Sequence, residues 1–213
     1  MNYILNVTTF ILKGSIITFE LYFATALFSV ILGVLGALGK ISGFKWLKTI
    51  LGFYTWVFRG TPLLLQLFFA YYGLPVIGIT LKPFTAAVLT FILNYGAYLT
   101  EIFRAGIESI DKGQYEAARV LGMNYRQTMF RIIIPQTVKR VLPPTSNEAI
   151  NLVKDSALVA AIGMGDLLRA AKQIVTRDFN ITPFIIAAIF YLVISSVIVK
   201  VFNKLEEKYS VYE

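Results

Sequence analysis

The chain has no cysteine and no histidine. The first absence excludes disulfides and thiolate metal sites. The second removes the usual general base together with the commonest metal ligand. Neither a metalloenzyme nor a triad hydrolase is expected, and no catalytic or metal-ligating residue is assigned. Charge is scarce too: Asp, Glu, Lys and Arg supply 15% of the 213 residues. No stretch is low-complexity or linker-like, so one domain, 1–213, is expected. What fills the chain is apolar. Hydrophobic residues make up 57% and the mean hydropathy is +0.69. A soluble domain of this length does not need so much apolar surface. A membrane-crossing helix does, because about 20 apolar residues must cover a backbone bonded only to itself. Five stretches qualify, at roughly 15–39, 50–72, 84–103, 145–165 and 182–202. The expected fold is all-α and polytopic.

The net charge of +8 reads as orientation rather than nucleic-acid binding. With the N-terminus outside, thirteen of the twenty Lys and Arg fall in inner segments and five in outer ones. The excess of inner cations favours N-terminus out, C-terminus in. Met1–Lys13 lacks the basic start of a cleavable leader. It reads as an amphipathic helix in the outer interface, with Tyr3, Ile4, Val7, Phe10 and Ile11 on its apolar side. The Gly39-Lys40 pair is no phosphate loop. Val34 stands where that motif's first glycine belongs, and Ile41 where its Ser or Thr belongs. Nucleotide hydrolysis must come from another chain.

The most informative stretch is polar: EAARVLGMNYRQTMFRIIIP, residues 116–135. Good helix formers run from Gln114 to Leu121, and Gly122 ends them, so a helix is expected from about Lys112 to Tyr125. Tyr115, Ala118, Val120 and Leu121 offer apolar knobs; Glu116 and Arg119 offer a polar rim. Glu116-Ala117-Ala118, Gly122 and an Ile-x-x-Pro ending at Pro135 resemble the EAA loop of ATP-binding cassette importer permeases. FRGTPLLLQLFFAYYGLP (58–75) and LVKDSAL (152–158) resemble segments of permeases for polar amino acids. Ile134 replaces the usual leucine before the proline.

The resemblance covers nearly the whole chain. It implies the type I importer fold of five membrane helices, an N-terminal amphipathic helix and a cytoplasmic coupling helix within about 111–135. It further implies a bacterial inner-membrane permease working as a dimer, identical copies favoured over two different chains. Cytoplasmic ATPase subunits would carry ATP and magnesium, an extracytoplasmic binding protein would deliver an amino acid, and this chain would hold no cofactor. Glu116, Ala117, Ala118, Arg119, Gly122 and Pro135 would then form the ATPase-coupling element.

Polar residues inside the spans mark the cargo path. Arg59 is expected near the cytoplasmic end of span two, kinked at Pro62. In span three, Asn94, Tyr98, Glu101 and Glu108 share one helical face. Glu101 is costly at that depth, so it either faces a wet cavity or pairs with Arg104. In span four, Asn147, Glu148, Asn151, Lys154 and Asp155 fall in an arc too wide for lipid. A cargo site built from Asn94, Tyr98, Glu101, Glu148, Asn151 and Asp155 suits a polar, cationic amino acid moved by alternating access. A passive channel or secondary transporter would use the same spans without an ATPase.

Overall fold

The structure, a computed structural model, describes residues 2–209, with side chains from Tyr3 onward. Helix α1 (Asn2–Ile41) is one helix of 40 residues. Its length, about 60 Å, is twice the hydrocarbon thickness of roughly 30 Å. The N-terminal segment is therefore not a separate interfacial helix, as the sequence led us to expect, but the first turns of the span itself. Val7 and Ile11 are buried against Leu167, Ala171 and Ile174 of α8 (Leu167–Asp178) and Ala187 of α9 (Thr182–Tyr209). Protein covers Val7 and Ile11, while Tyr3, Ile4 and Phe10 on the rest of that apolar side stay exposed. Gly14 permits the approach, since a methyl there would stand 2.9 Å from Ala170 Cβ and 3.0 Å from the Asp166 carbonyl oxygen.

The expected second span is broken. Helix α2 (Lys45–Gly60) and helix α3 (Leu63–Phe68), which runs on through helical turns to Ile77, meet at a bend of 104°. Thr61 and Pro62 form the break in extended backbone. Proline lacks an N–H and crowds the carbonyl four residues back. Elsewhere the chain meets the same constraint by widening a turn. A π-helical segment, Phe69–Gly73, ends two residues before Pro75, and another, Met129–Ile133, ends two residues before Pro135. The i→i+5 turn makes room for the ring. Pro135 therefore does not close the polar loop. The helical path continues from α6 (Tyr125–Thr128) through the π turn into α7 (Ile134–Asp155).

Helix α4 (Pro83–Glu108) runs through the middle. It lies tightly on α1: a methyl at Gly33 would stand 2.6 Å from Leu99 Cβ, and one at Gly36 would strike Thr100 closer still. Small residues at such positions let helix backbones approach. The main core gathers Leu21, Leu67, Phe91, Tyr95, Leu152 and Val159 from α1, α3, α4, α7 and the segment after it.

Among the described residues, α1, α4 and α9 are each long and apolar enough to cross a membrane, and the number is four if the bent pair is counted as one span. Helix α7, with 22 residues, is about 33 Å long, and its polarity rather than its length sets it apart. It starts eleven residues before the expected 145 and gives way at Asp155 to a 3-10 segment, Ser156–Ile162, ended by Gly163 at φ 86°. The 167–178 connection, read from sequence as an outer segment, is helix α8. The Asp166 carboxylate caps it, accepting from Leu168 N at 3.0 Å and Arg169 N at 3.1 Å. Its Leu167, Ala170, Ala171 and Ile174 are buried at helical spacing.

Candidate functional site

Two places carry the sequence-predicted residues. The first is the polar loop. Helix α5 spans Lys112–Val120, and its first turn is capped by the Asp111 carboxylate, which accepts from Gly113 N at 2.6 Å. It ends in a Schellman motif: Met123 N donates to the Ala118 carbonyl and Gly122 N to the Arg119 carbonyl, each at 3.0 Å. Gly122 has φ 73°, a left-handed conformation that other residues adopt at a cost of about 1–2 kcal/mol. Two residues after Gly122, Asn124 and Gln127 form a capping box that starts α6, with both bonds at 2.9 Å. The helix therefore stops at Val120, five residues earlier than expected, and the turn after it is fixed at both ends.

This loop is pinned to the bundle. Ile110, Met129 and Ile133 form a small core with Tyr115 and Ile132 packed on it. Arg140 of α7 donates to both the backbone and side-chain oxygens of Ser109, where α4 ends, the latter at 2.9 Å. Burial pushes the Tyr115 hydroxyl above its ordinary pKa. Of the expected coupling residues, Glu116, Ala117, Arg119 and Gly122 are exposed, while Ala118 is wholly buried and Pro135 lies within the continuing helix. Ala118 and Tyr115 thus face the bundle. The outward apolar knobs are Val120 and Leu121, 88% and 76% exposed.

The second place is a cleft of about 490 Å³ between the α2–α3 break, α4 and α7. Thr61 and Pro62 line one side, Asn94, Tyr95 and Tyr98 another, and Glu148, Asn151 and Asp155 a third. Positions 148, 151 and 155 recur at three and four residues and so share one helical face. Asn147 and Lys154, read from sequence on the same arc, are exposed and line no part of it. Tyr95 is buried and its hydroxyl donates to Asp155 Oδ2 at 2.7 Å, which fixes that carboxylate. Glu148 and Asp155 give the cleft two acids.

Two expected residues behave differently. The Asn94 amide donates to the Phe58 carbonyl at 2.9 Å and to Gln66 Oε1 at 3.0 Å. Gln66 Nε2 also donates to Phe58 O at 2.9 Å and Thr61 Oγ1 at 2.8 Å. Asn94 borders the cleft, yet its donors hold the helix break, supplying a partner to a carbonyl stranded at the end of α2. Glu101 is not in the cleft. It pairs with Lys40 of α1 and accepts from Arg104 Nη2 at 2.8 Å and Nε at 3.0 Å. Lys40 also donates to Thr55 Oγ1 of α2 at 2.9 Å, and Arg104 pairs with Glu108. The network ties α1, α2 and α4 together near α5. Of the six expected cargo residues, five line one cleft and Glu101 belongs to this clamp instead.

Tyr95 and Gln66 escaped sequence reasoning. The signal for Gln66 was there: a lone amide inside Leu-Leu-Leu-Gln-Leu-Phe-Phe needs a partner in an apolar span. Tyr95 gave no such signal, because a tyrosine in a span is also a packing residue. Arg59 is at the far end of α2 from its Lys45 start, about 21 Å along the axis, not beside the α1–α2 turn. Its guanidinium carbon stands 5.4 Å from the centroid of the Tyr98 ring, and Tyr98 Oη donates to the Arg59 carbonyl at 3.4 Å.

Comparison with known proteins decides the family. Residues 29–210 match the model for the inner membrane component of binding-protein-dependent transport systems. The chain belongs to this family. It is a permease, the membrane-spanning subunit of a transporter, and not itself an enzyme. The permease is 44% identical over 201 residues to the arginine transport system permease protein ArtQ of Bacillus subtilis (strain 168), covering 93% of this chain and 92% of that one. It is 39% identical to the putative glutamine transport system permease protein GlnP of Rickettsia bellii (strain RML369-C), with the same coverage. The crystal structure of an amino acid ABC transporter with histidines superimposes with a TM-score of 0.88 at 39% identity, covering 97% of both chains. The permease therefore has the type I importer fold.

Proposed function

We propose that this permease moves a cationic amino acid inward through the cleft between α4, α7 and the α2–α3 break, driven by ATPase subunits that grip α5. The observation that carries the cargo reading is the pair of acids, Glu148 and Asp155, lining one cleft with Asn151 and Tyr98. A charge inside a membrane protein lines a cargo path or meets a partner, and Glu148 has no hydrogen-bonded partner among the described residues. The relatives include an arginine permease and a glutamine permease by name, and the two acids favour the first.

Coupling rests on α5. A short helix capped at both ends, presenting Val120 and Leu121 with Glu116 and Arg119 beside them, fits a groove on a partner. Being pinned to the starts of α6 and α7 and the end of α4, it transmits displacement as a rigid body. ATP and magnesium belong to the partner. Closure of two ATPases would move the paired α5 helices together, and the bundle would alternate between access to the two sides. The orientation is N-terminus out and C-terminus in, with two permease chains per transporter, identical copies favoured, and a binding protein on the outer face. A passive channel leaves a rigid, outward-facing apolar helix end without a task.

The test is uptake of labelled amino acids into liposomes holding the permease, its ATPase and its binding protein. Uphill arginine uptake that requires ATP, and that Glu148→Gln and Asp155→Asn each reduce at least tenfold, is the expected result. Uphill uptake by the permease alone without nucleotide would exclude the coupled reading. Equal transport of glutamine and arginine, with neither changed by the two substitutions, would exclude the cationic one.

A further inference from the structure

A second cavity, of about 470 Å³, lies where the α1–α2 turn meets α5, apart from the acidic cleft. Lys48 of α2 and Lys112 of α5 line it, together with Tyr115, Tyr125 and an apolar wall of Ile110 and Met129. Its charges do not balance. The carboxylate in the lining, Glu108, is paired with Arg104, and Lys40, also in the lining, is paired with Glu101. Lys48 and Lys112 are exposed, and among the described residues their ammonium groups have neither an ion pair nor a hydrogen bond. The neighbouring residues show at what depth this cavity lies. Trp46, Ile50 and Phe53 of α2, spaced four and three apart, share one helical face, and they are 64%, 59% and 64% exposed. Trp46 begins that face, with the Phe44 ring 6.5 Å away and Lys45 and Lys48 close by in the chain. A tryptophan among lysines at the end of an apolar helix marks the level of lipid headgroups. Lys48 belongs both to that flank and to the cavity, so the cavity lies at the same level.

We propose that this cavity binds the headgroup of an anionic phospholipid from the leaflet on the α5 side: Lys48 and Lys112 neutralise its phosphate, the Tyr115 and Tyr125 hydroxyls donate to its oxygens, and its acyl chains run along the Trp46–Ile50–Phe53 face. Each part of the ligand meets a matching part of the protein. Basic pockets between membrane helices suit anionic headgroups, and ammonium donors give phosphate oxygens charge-assisted hydrogen bonds. A free phosphate satisfies the lysines but leaves the adjoining apolar face unused. An acidic side chain of the ATPase is the poorer match, because the outward knobs of α5, Val120 and Leu121, lie about 12 Å along the helix from Lys112. A lipid held by Lys48 and Lys112 bridges α2 and α5 and ties the helix that meets the ATPase to the bilayer. The site is independent of the acidic cleft and of the cargo it takes.

The experiment titrates the assembled transporter in detergent with dioleoyl phosphatidylglycerol or dioleoyl phosphatidylcholine and counts bound lipids by native mass spectrometry. The anionic lipid is expected to bind more tightly by about thirtyfold, Lys48→Gln and Lys112→Gln each to weaken it about fivefold, and the two together to bring it down to phosphatidylcholine. Unchanged phosphatidylcholine binding and melting midpoint establish that the variants are folded. Lys48→Arg with Lys112→Arg should keep the selectivity, because both charges remain. Lys45→Gln, which removes a neighbouring charge outside the cavity, should change it less than about twofold. Trp46 locates the lipid. In a Trp56→Phe background, where Trp46 is the permease's remaining tryptophan, phosphatidylglycerol with brominated acyl chains should quench the permease in phosphatidylcholine vesicles more than equally brominated phosphatidylcholine does. The double Gln variant should lose that difference. Equal binding of the two lipids overturns the proposal, and so does a Lys45→Gln effect as large as that of Lys48→Gln, which would mean diffuse surface charge. Inorganic phosphate displacing the lipid at equal concentration would make this a free-anion site instead. Selectivity in the permease alone that vanishes in the assembled transporter would give the cavity to the ATPase.

Discussion

Glu101 carries the lesson at the scale of single residues. On a helical wheel it shares a face with Asn94 and Tyr98, yet the fold gives it Lys40 and Arg104 instead. Its side chain is only 14% exposed, so removing the charge leaves two half-buried cations short of their acceptor. Glu101→Gln is expected to lower stability by about 3 kcal/mol, read as thermal unfolding in detergent, without changing the ratio of arginine to glutamine uptake. Lys40→Met combined with Glu101→Leu should recover part of that loss, since an apolar pair is better tolerated than one orphaned charge. Gly122 behaves in the opposite way. A Cβ there meets nothing within 4 Å, so the penalty is backbone strain at φ 73°. Gly122→Val should leave the bundle folded and cost about 1–2 kcal/mol locally, while loosening α5 enough to impair capture of the ATPase. Full ATPase co-purification with Gly122→Val would count against α5 as the docking element. Gly122 was legible in the sequence because a glycine after a run of helix formers has one common use. The Arg104 partner of Glu101, three residues on, was legible as well, whereas Lys40, 61 residues away, was not.

At the scale of elements, the α2–α3 break shows how a local signal needs a distant support. Pro62 announces an interruption, but a proline can produce a mild kink as readily as a 104° bend. The sharp version persists because Gln66 and Asn94 supply donors to the Phe58 carbonyl. Asn94→Leu is expected to cost about 1–3 kcal/mol, seen as a lower melting midpoint. Adding Gln66→Leu should cost less than the sum of the two single changes, since both serve one network. The α1–α4 pair makes a different demand. Gly33 and Gly36 let α1 lie against Leu99 and Thr100, so Gly36→Val should separate the helices at a cost of about 1–3 kcal/mol or more. A wild-type melting midpoint for that variant would mean that the close approach contributes nothing. Both π turns follow from local sequence, each two residues ahead of a proline. By contrast, α7 was read too late and α8 not at all, because their polar residues interrupt the apolar runs by which spans are recognised.

At the scale of the whole molecule, the absence of cysteine gives a clean background for testing orientation. A cysteine replacing the exposed Lys112 should react with an impermeant maleimide only from the face that meets the ATPase, and one replacing the exposed Lys172 only from the other. Labelling of both from one side would contradict the proposed topology. The sequence by itself determined the class of molecule and its loop. Apolar runs of membrane length leave a backbone no option but helices, and a polar helix ended by Gly122 is a local structure set by neighbours in the chain. Only the tertiary structure decided which polar residues line the cleft and which serve the scaffold. Asn94, Glu101, Glu148 and Asp155 look alike as polar groups in apolar surroundings, yet three of them are tied to other helices and Glu148 is left open to the cleft. The partners come from other helices: Phe58 and Gln66 for Asn94, Lys40 for Glu101, Tyr95 for Asp155. Helical periodicity fixes the face on which a side chain stands, but the packing of α1, α2 and α7 around α4 fixes what that face meets.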